Sequence, residues 1–391
     1  MSEWEKTTLA DLCSDISYGY TESAKQEKIG PKFLRITDIA SERLEWSNVP
    51  YCSISESDFE KYKLLPGDIV IARTGATTGV NYTIKESDPK EVVFASYLIR
   101  YKINPKIASP YFIGQLLRSS YWSDYVDAIV GGSAQPGANA KQLGLFEFLL
   151  PPIDIQKTIA SILSCLDDKI DLLHRQNATL EKIAETLFRQ WFIEEAKERE
   201  KTKIGLVLET VLGGTPSTKK PEYWDGTIPW INSGEVNNFR ILKPTKFITE
   251  LGLAESNTKL LPIGTTVLAI TGATLGQISL LEISTCANQS VVGIIPNETY
   301  PKEYVFLWIK YMIDEIILNE TGGAQPHINK NDVNETEILV PCNDDLEFIE
   351  SKIKPLFKKI SINSFQINTL IELRDSLLPK LMSGEITVNQ G

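Results

Sequence analysis

Two strings in this 391-residue chain carry side chains suited to gripping phosphates and base edges: Arg73-Thr74-Gly75-Ala76-Thr77-Thr78-Gly79, and its echo Ile270-Thr271-Gly272-Ala273-Thr274-Leu275-Gly276. Gly75, Gly79, Gly272 and Gly276 bracket loops whose backbone can approach a phosphate closely, with Thr74, Thr77, Thr271 and Thr274 as hydroxyl donors. An ordinary strand-connecting turn uses the same residue types. Arg73 falls opposite Ile270, so it meets no need common to both copies and is a candidate for reading guanine or gripping phosphate in the first copy alone.

A second polar supply follows each string. Gln135, Asn139 and Lys141 stand opposite Gln325, His327, Asn329, Lys330 and Asn331. Amide side chains pair bidentately with adenine, and lysine reaches guanine or phosphate; for Asn139 and Asn329 the competing use is helix capping. A third supply lies near the start of each copy: Lys25, Lys28, Lys32 and Arg35, then Lys219, Lys220, Asn232, Asn237, Asn238 and Arg240. Solvated surface is the ordinary explanation for such groups, yet they form the densest cation-and-amide supply in the chain.

Catalytic chemistry has little to build on. The two histidines, His174 and His327, are far apart, which leaves no basis for a histidine metal site or a base–nucleophile relay. Gly213-Gly214-Thr215-Pro216-Ser217-Thr218-Lys219-Lys220 lacks the glycine before lysine that a phosphate loop requires. Leu150-Pro151-Pro152-Ile153 does not match the N/D-P-P-Y/F string of amino-methyltransferases. Five scattered cysteines contain no C-x-x-C pair and suggest reduced structural thiols. The expectation is a non-catalytic protein with no metal and no cofactor of its own.

Charge argues against bulk attraction to DNA. Lys plus Arg total 40 against 51 Asp plus Glu, a net of −11. Residues 1–150 carry 16 basic and 19 acidic groups, net −3, and residues 201–340 carry 11 and 15, net −4. A DNA reader of this composition must cluster its cations on one face or leave much of the phosphate contact to a partner. The most apolar stretch, Thr266 to Ile283, is broken by Thr271, Gly272, Gly276 and Gln277, and MSEWEKTTLADL has no basic-then-apolar signal pattern. A cytoplasmic protein without membrane contact is expected.

The elements that must position these residues come from an internal repeat of about 190 residues. Gly131-Gly132-Ser133-Ala134-Gln135-Pro136 returns as Gly322-Gly323-Ala324-Gln325-Pro326, and Leu64-Leu65-Pro66 as Leu260-Leu261-Pro262. Within each copy, β-branched and aromatic runs such as PGDIVIART (66–74) and PIGTTVLAIT (262–271) predict strands. Pro110 to Ile129 and Pro301 to Leu318 predict equivalent amphipathic helices. After Pro151 a helical stripe begins: Ile159, Ile162, Leu166, Ile170, Leu173, Asn177, Leu180, Ala184, Leu187 and Trp191. After Pro341 it returns as Ile349, Leu356, Ile360, Asn363, Ile367, Leu370, Arg374, Leu377 and Leu381. Such stripes ask for a partner helix, and each supplies the other. The polar Asn177, Asn363 and Arg374 penalise wrong registers, or are tolerated at loosely packed sites.

The expected fold is therefore α+β: two similar globular domains (1–150 and 201–340) separated by two long antiparallel coiled-coil helices (151–200 and 341–391), with a pseudo-two-fold internal repeat. A helix of about 40 residues spans about 60 Å, against roughly 34 Å between successive major-groove faces of B-DNA. Two domains that differ in sequence should read different half-sites.

The chain resembles the specificity subunit of Type I restriction-modification systems over essentially its whole length. The resemblance rests on the duplicated layout, the two T-G-A-T-x-G loops, the G-G-x-A-Q-P and G-G-A-Q-P segments, and Leu377-Leu378-Pro379-Lys380-Leu381-Met382-Ser383-Gly384-Glu385-Ile386. It implies that each globular domain reads half of a bipartite site in double-stranded DNA, while the helices set the spacer and dock two methyltransferase subunits. It also implies that S-adenosylmethionine and ATP belong to the partners, restriction subunits being an optional third component. The first helical region departs from the pattern, ending in Arg189-Gln190-Trp191-Phe192-Ile193-Glu194. The alternative is a two-domain coiled-coil scaffold that binds proteins without DNA specificity, favoured by the acidic charge.

Overall fold

A computed structural model gives the fold, and the structure describes residues 4–40, 44–131, 137–195, 199–318 and 327–386. The chain divides into two compact units, residues 1–169 with 370–391, and residues 170–369. Each unit joins one globular domain to a stretch of both helical regions.

In the first unit an antiparallel sheet has the order Cys13–Tyr18, Leu98–Ile103, Asp68–Ala72, Asn81–Thr83. Every residue of Asp68–Ala72 is buried. Alternation explains how: Ile69 and Ile71 enter one core with Phe112 and Ile113, while Val70 and Ala72 enter another with Leu34 and Phe94. A strand covered on both faces reads as a continuous apolar run instead of an alternating one. The second unit repeats the device, with Leu268 and Ile270 in one core and Val267 and Ala269 in the other. Its sheet has the order Glu209–Leu212, Val291–Ile295, Thr266–Ala269, Ile278–Leu281, Arg240–Ile241, antiparallel until the last, parallel pair. Each domain is closed by a ribbon joining its start to its end: Glu5–Thr8 with Glu147–Leu150, and Lys201–Lys203 with Glu337–Leu339.

The two amphipathic helices are not equivalent. Lys302–Leu318 is continuous, whereas the first copy is broken into Pro110–Leu116 and Ser120–Val130. At the break the Ser119 hydroxyl donates to the Leu116 carbonyl at 2.6 Å, one way in which serine ends a helix by offering its backbone an alternative partner.

The long helices run over Ile153–Arg189 and Lys354–Ser383. A wide π-type turn, Gln190–Glu194, ends the first, and another, Ile349–Ile353, precedes the second. Pro355 supplies a reason for the latter, since it brings no N–H to the ladder and the widened turn accommodates the loss. In the second unit the two helical stretches are antiparallel: Asn177 meets Asn363, while Trp191 stacks on Phe348 at 4.3 Å and 7°.

The expected stripe holds at many positions, and at several turns the deepest burial moves one residue on. Ile159, Ile170, Leu173, Ile349, Ile360, Ile367 and Leu381 are buried, and Leu166, Leu180 and Leu370 half-buried. Ile162, by contrast, is 36% exposed and Leu163 takes its place at 0%. Leu187, Trp191, Leu356 and Leu377 are likewise half-buried beside fully covered Phe188, Phe192, Phe357 and Leu378. Near their ends the helices pack into the domain cores: Ile159, Ala160 and Leu163 join Phe112 and Leu116, and Ala184, Phe188 and Phe192 join Tyr304 and Trp308. A helix covered by a domain buries a broader stripe than a strict two-helix seam does.

Candidate nucleic-acid interface

Each T-G string connects two neighbouring antiparallel strands of its sheet, Asp68–Ala72 to Asn81–Thr83 and Thr266–Ala269 to Ile278–Leu281, as a single turn of 3-10 helix over Gly75–Thr77 or Gly272–Thr274. The two glycines of each string do different work. Gly75 (φ 74°) and Gly272 (φ 65°) have left-handed backbones and open space where a side chain would stand. Gly79 and Gly276, also left-handed, lie against Val126 and Ile317, so their lack of a side chain serves packing and not ligand approach. The Thr77 and Thr274 hydroxyls donate to the carbonyls of Thr74 and Thr271 at 3.4 and 3.2 Å, holding the turn. Both threonines are therefore committed as donors, although their oxygens can still accept. Thr74 and Thr271 make no side-chain hydrogen bond among the described residues.

The loops do not stand alone. In the first unit Ala138 N–H donates to the Arg73 carbonyl at 2.9 Å, and in the second Ile328 N–H donates to the Ile270 carbonyl at 3.1 Å. Thr74 bridges Gly137, and Thr271 bridges His327. The T-G turn and the polar segment before each long helix are thus one surface in each unit. Gln135 and Gln325 lie outside the described residues. Asn139 and Asn329 are helix caps: each accepts a backbone N–H through its amide oxygen, from Gln142 at 2.9 Å and from Asn331 at 2.8 Å, within a reciprocal capping box. Their amide oxygens are committed to the caps, the second of the two uses weighed for these residues. His327, Asn331 and Lys141 are exposed and Lys330 half-exposed beside them.

Arg73 is tethered to this surface. Its Nε donates to the Ser96 carbonyl at 3.1 Å, and its guanidinium lies 5.1 Å from the Tyr18 ring centre and 5.9 Å from that of Tyr97. Tyr18 and Tyr97 are 43% and 58% exposed. Neither tyrosine was singled out from sequence, because only the pairing of their strands brings them beside Arg73.

The other cations divide by use. Lys25, Lys28 and Lys219 are exposed. Lys32 Nζ donates to the Val49 carbonyl at 2.7 Å and lies over Tyr51, and Arg35 is held by Asp38 at 2.8 Å. Lys220 contacts Tyr223 and Glu255. Asn232 caps a short helix by accepting from Gly234 at 2.7 Å, whereas Asn237 and Asn238 are exposed. Arg240 overturns its expectation: it is 4% exposed, stacked among Phe239, Phe306 and Phe357 and 3.6 Å from Glu282. Burial draws its guanidinium down to about 10 against the pull of Glu282, Glu181 and Glu303, and a side chain so enclosed cannot reach a duplex.

Acidic residues position the domains within their own units. Asp167 accepts from Gln115 at 2.8 Å, Arg118 at 2.7 Å and Arg374 at 3.0 Å. Asp345, 1% exposed, accepts from Trp191 and Arg199, both at 2.8 Å. No helix among the described residues is long and apolar enough to cross a membrane.

Known proteins share this construction. Residues 1–182 and 196–373 each match the Type I restriction modification DNA specificity domain. The chain is 27% identical to the Type I restriction enzyme MjaIX specificity subunit of Methanocaldococcus jannaschii, over 83% of this chain and 76% of that one. It is 23% identical to the HindI specificity subunit of Haemophilus influenzae, over 99% and 100%. Among solved structures, the Type-I restriction-modification system S subunit from M. genitalium superposes with a TM-score of 0.58 at 16% identity, covering 99% of this chain and 97% of that one, a likeness of fold. With one copy of the domain in each half of the repeat, the chain belongs to the Type I restriction-modification DNA specificity family.

Proposed function

We propose that the chain is the sequence-reading subunit of a Type I restriction-modification complex, each globular domain reading one half of an interrupted, asymmetric target in double-stranded DNA. The observation that carries this reading is the shared surface in each unit, a T-G turn stitched to the segment before a long helix, built on one backbone plan but with Arg73 in one copy and Ile270 in the other. Common backbone with different side chains is what two readers of different half-sites require. The long helices set the spacer, a role supported by the register-specific contact of Asn177 with Asn363 and Ser364 at 2.9 and 3.2 Å. They also dock two methyltransferase subunits, supported by Leu172, Ile183, Ile362 and Phe365, large apolar side chains left exposed on the helices of the second unit. Methyl transfer with S-adenosylmethionine, and cleavage with ATP where restriction subunits join, belong to those partners. A net charge of −11 leaves much of the phosphate contact to them as well.

Methylome sequencing of a host carrying only this subunit and its methyltransferase tests the reading. The expected result is one interrupted motif with unlike halves, in which exchange of residues 1–150 for another family member's first domain alters one half alone. The same acidic charge favours the rival reading of a protein-binding scaffold; binding of the purified complex to scrambled and specific duplexes alike would support that rival.

A further inference from the structure

The strand registers give residue-for-residue equivalences between the two units. Tyr18 pairs with Ile99 and Ala72 with Leu98, while Leu212 pairs with Val292 and Ala269 with Val291. Leu212, Ile270 and Ser290 of the second unit therefore occupy the places of Tyr18, Arg73 and Tyr97. An arginine between two exposed tyrosines is replaced, on the same backbone, by three residues with no charge and no ring.

The arginine is pre-oriented for a planar ligand. Its Nε is committed to the Ser96 carbonyl, and the Tyr18 hydroxyl is itself fixed by accepting the Ala140 N–H at 3.1 Å. The terminal nitrogens of Arg73 make no hydrogen bond among the described residues, leaving a fork that matches two adjacent acceptors. Open space at Gly75, two residues on, leaves room for a bulky partner. We infer that Tyr18, Arg73 and Tyr97 form a base-reading element of the first domain alone, in which Arg73 pairs bidentately with the N7 and O6 acceptors of a guanine while the tyrosine rings fix the guanidinium and exclude water. This rests on the proposed function and adds a definite base, a definite half-site and the residues that read it.

The test uses the full chain in complex with its methyltransferase subunits, selecting sites from a randomised duplex library. Arg73→Lys keeps the charge and removes the fork. It should lower preference for one G·C pair in one half-site by roughly tenfold or more, leaving the other half-site and the spacer unchanged. Tyr97→Ala should share the defect of Arg73→Lys in weaker form, and Tyr97→Phe, which keeps the ring, should retain more of the G·C preference than Tyr97→Ala. The inference is overturned if Arg73→Lys leaves both half-sites intact. It is equally overturned if Arg73→Ala weakens binding to all sequences alike with a shallower salt dependence, the signature of a phosphate contact. A wild-type complex that selects no interrupted motif would remove the functional reading and the inference with it. A wild-type motif untouched by any of the variants would remove the inference alone.

Discussion

Asp167 lies on the first long helix with its carboxylate among Gln115, Arg118 and Arg374, so one side chain ties the first domain to both helical stretches of its unit. Burial pushes this carboxyl up, but the charge of Arg118 and the bonds from Gln115 and Arg374 outweigh it and hold it below the ordinary range. A group depressed in the folded state adds stability at neutral pH that is lost as pH falls through its folded value. Asp167→Asn should therefore cost about 3 kcal/mol near neutrality, the order expected for breaking a largely buried pair, and chemical denaturation across pH should show the gap to wild type closing in acid. A gap that ignores pH would mean that the loss is one of shape, not charge. Asp167 was not legible as a node from sequence, since an acidic residue off the apolar stripe looks solvated until its neighbours are known. Asn139 and Asn329 were legible only as a choice between base contact and cap, because one amide serves both and the backbone decides.

At the level of elements, Asn177, Asn363 and Ser364 form a buried polar contact between the helical stretches of the second unit. The Asn363 amide oxygen has no hydrogen-bond partner of its own. Asn177→Ala would take from the Asn363 amide its closer acceptor, leaving Gln176 at 3.5 Å, and should cost about 1–3 kcal/mol. Asn177→Leu with Asn363→Leu should instead match or exceed the wild-type urea midpoint, because paired apolar replacement removes the desolvation cost. Destabilisation by the double variant as great as by the single would show that packing, not polarity, governs the site. The stripe was readable from its spacing, but its phase at several turns was not. Leu163 displaced Ile162, and Phe357 displaced Leu356, because a domain core, and not a second helix alone, covers those turns.

At the level of the whole molecule, the spacer role makes its own demand. Inserting a full heptad of residues into both long helices, in register, should lengthen the spacer of the methylated motif and leave its halves unchanged; methylome sequencing reads this directly. Altered halves with a constant spacer would refute the ruler. The repeat of T-G strings, apolar strands and helical stripes, and hence the α+β class and the duplicated plan, were determined by the sequence alone, because periodicity and spacing are local properties of a chain. Which polar groups remain available for a ligand was decided only by tertiary structure. Arg240 and Arg73 are the same residue type and were both candidates for DNA contact, yet one is enclosed by three phenylalanines while the other is held at the surface between two tyrosines. Burial and partnership are set by residues distant in sequence, and no local pattern records them.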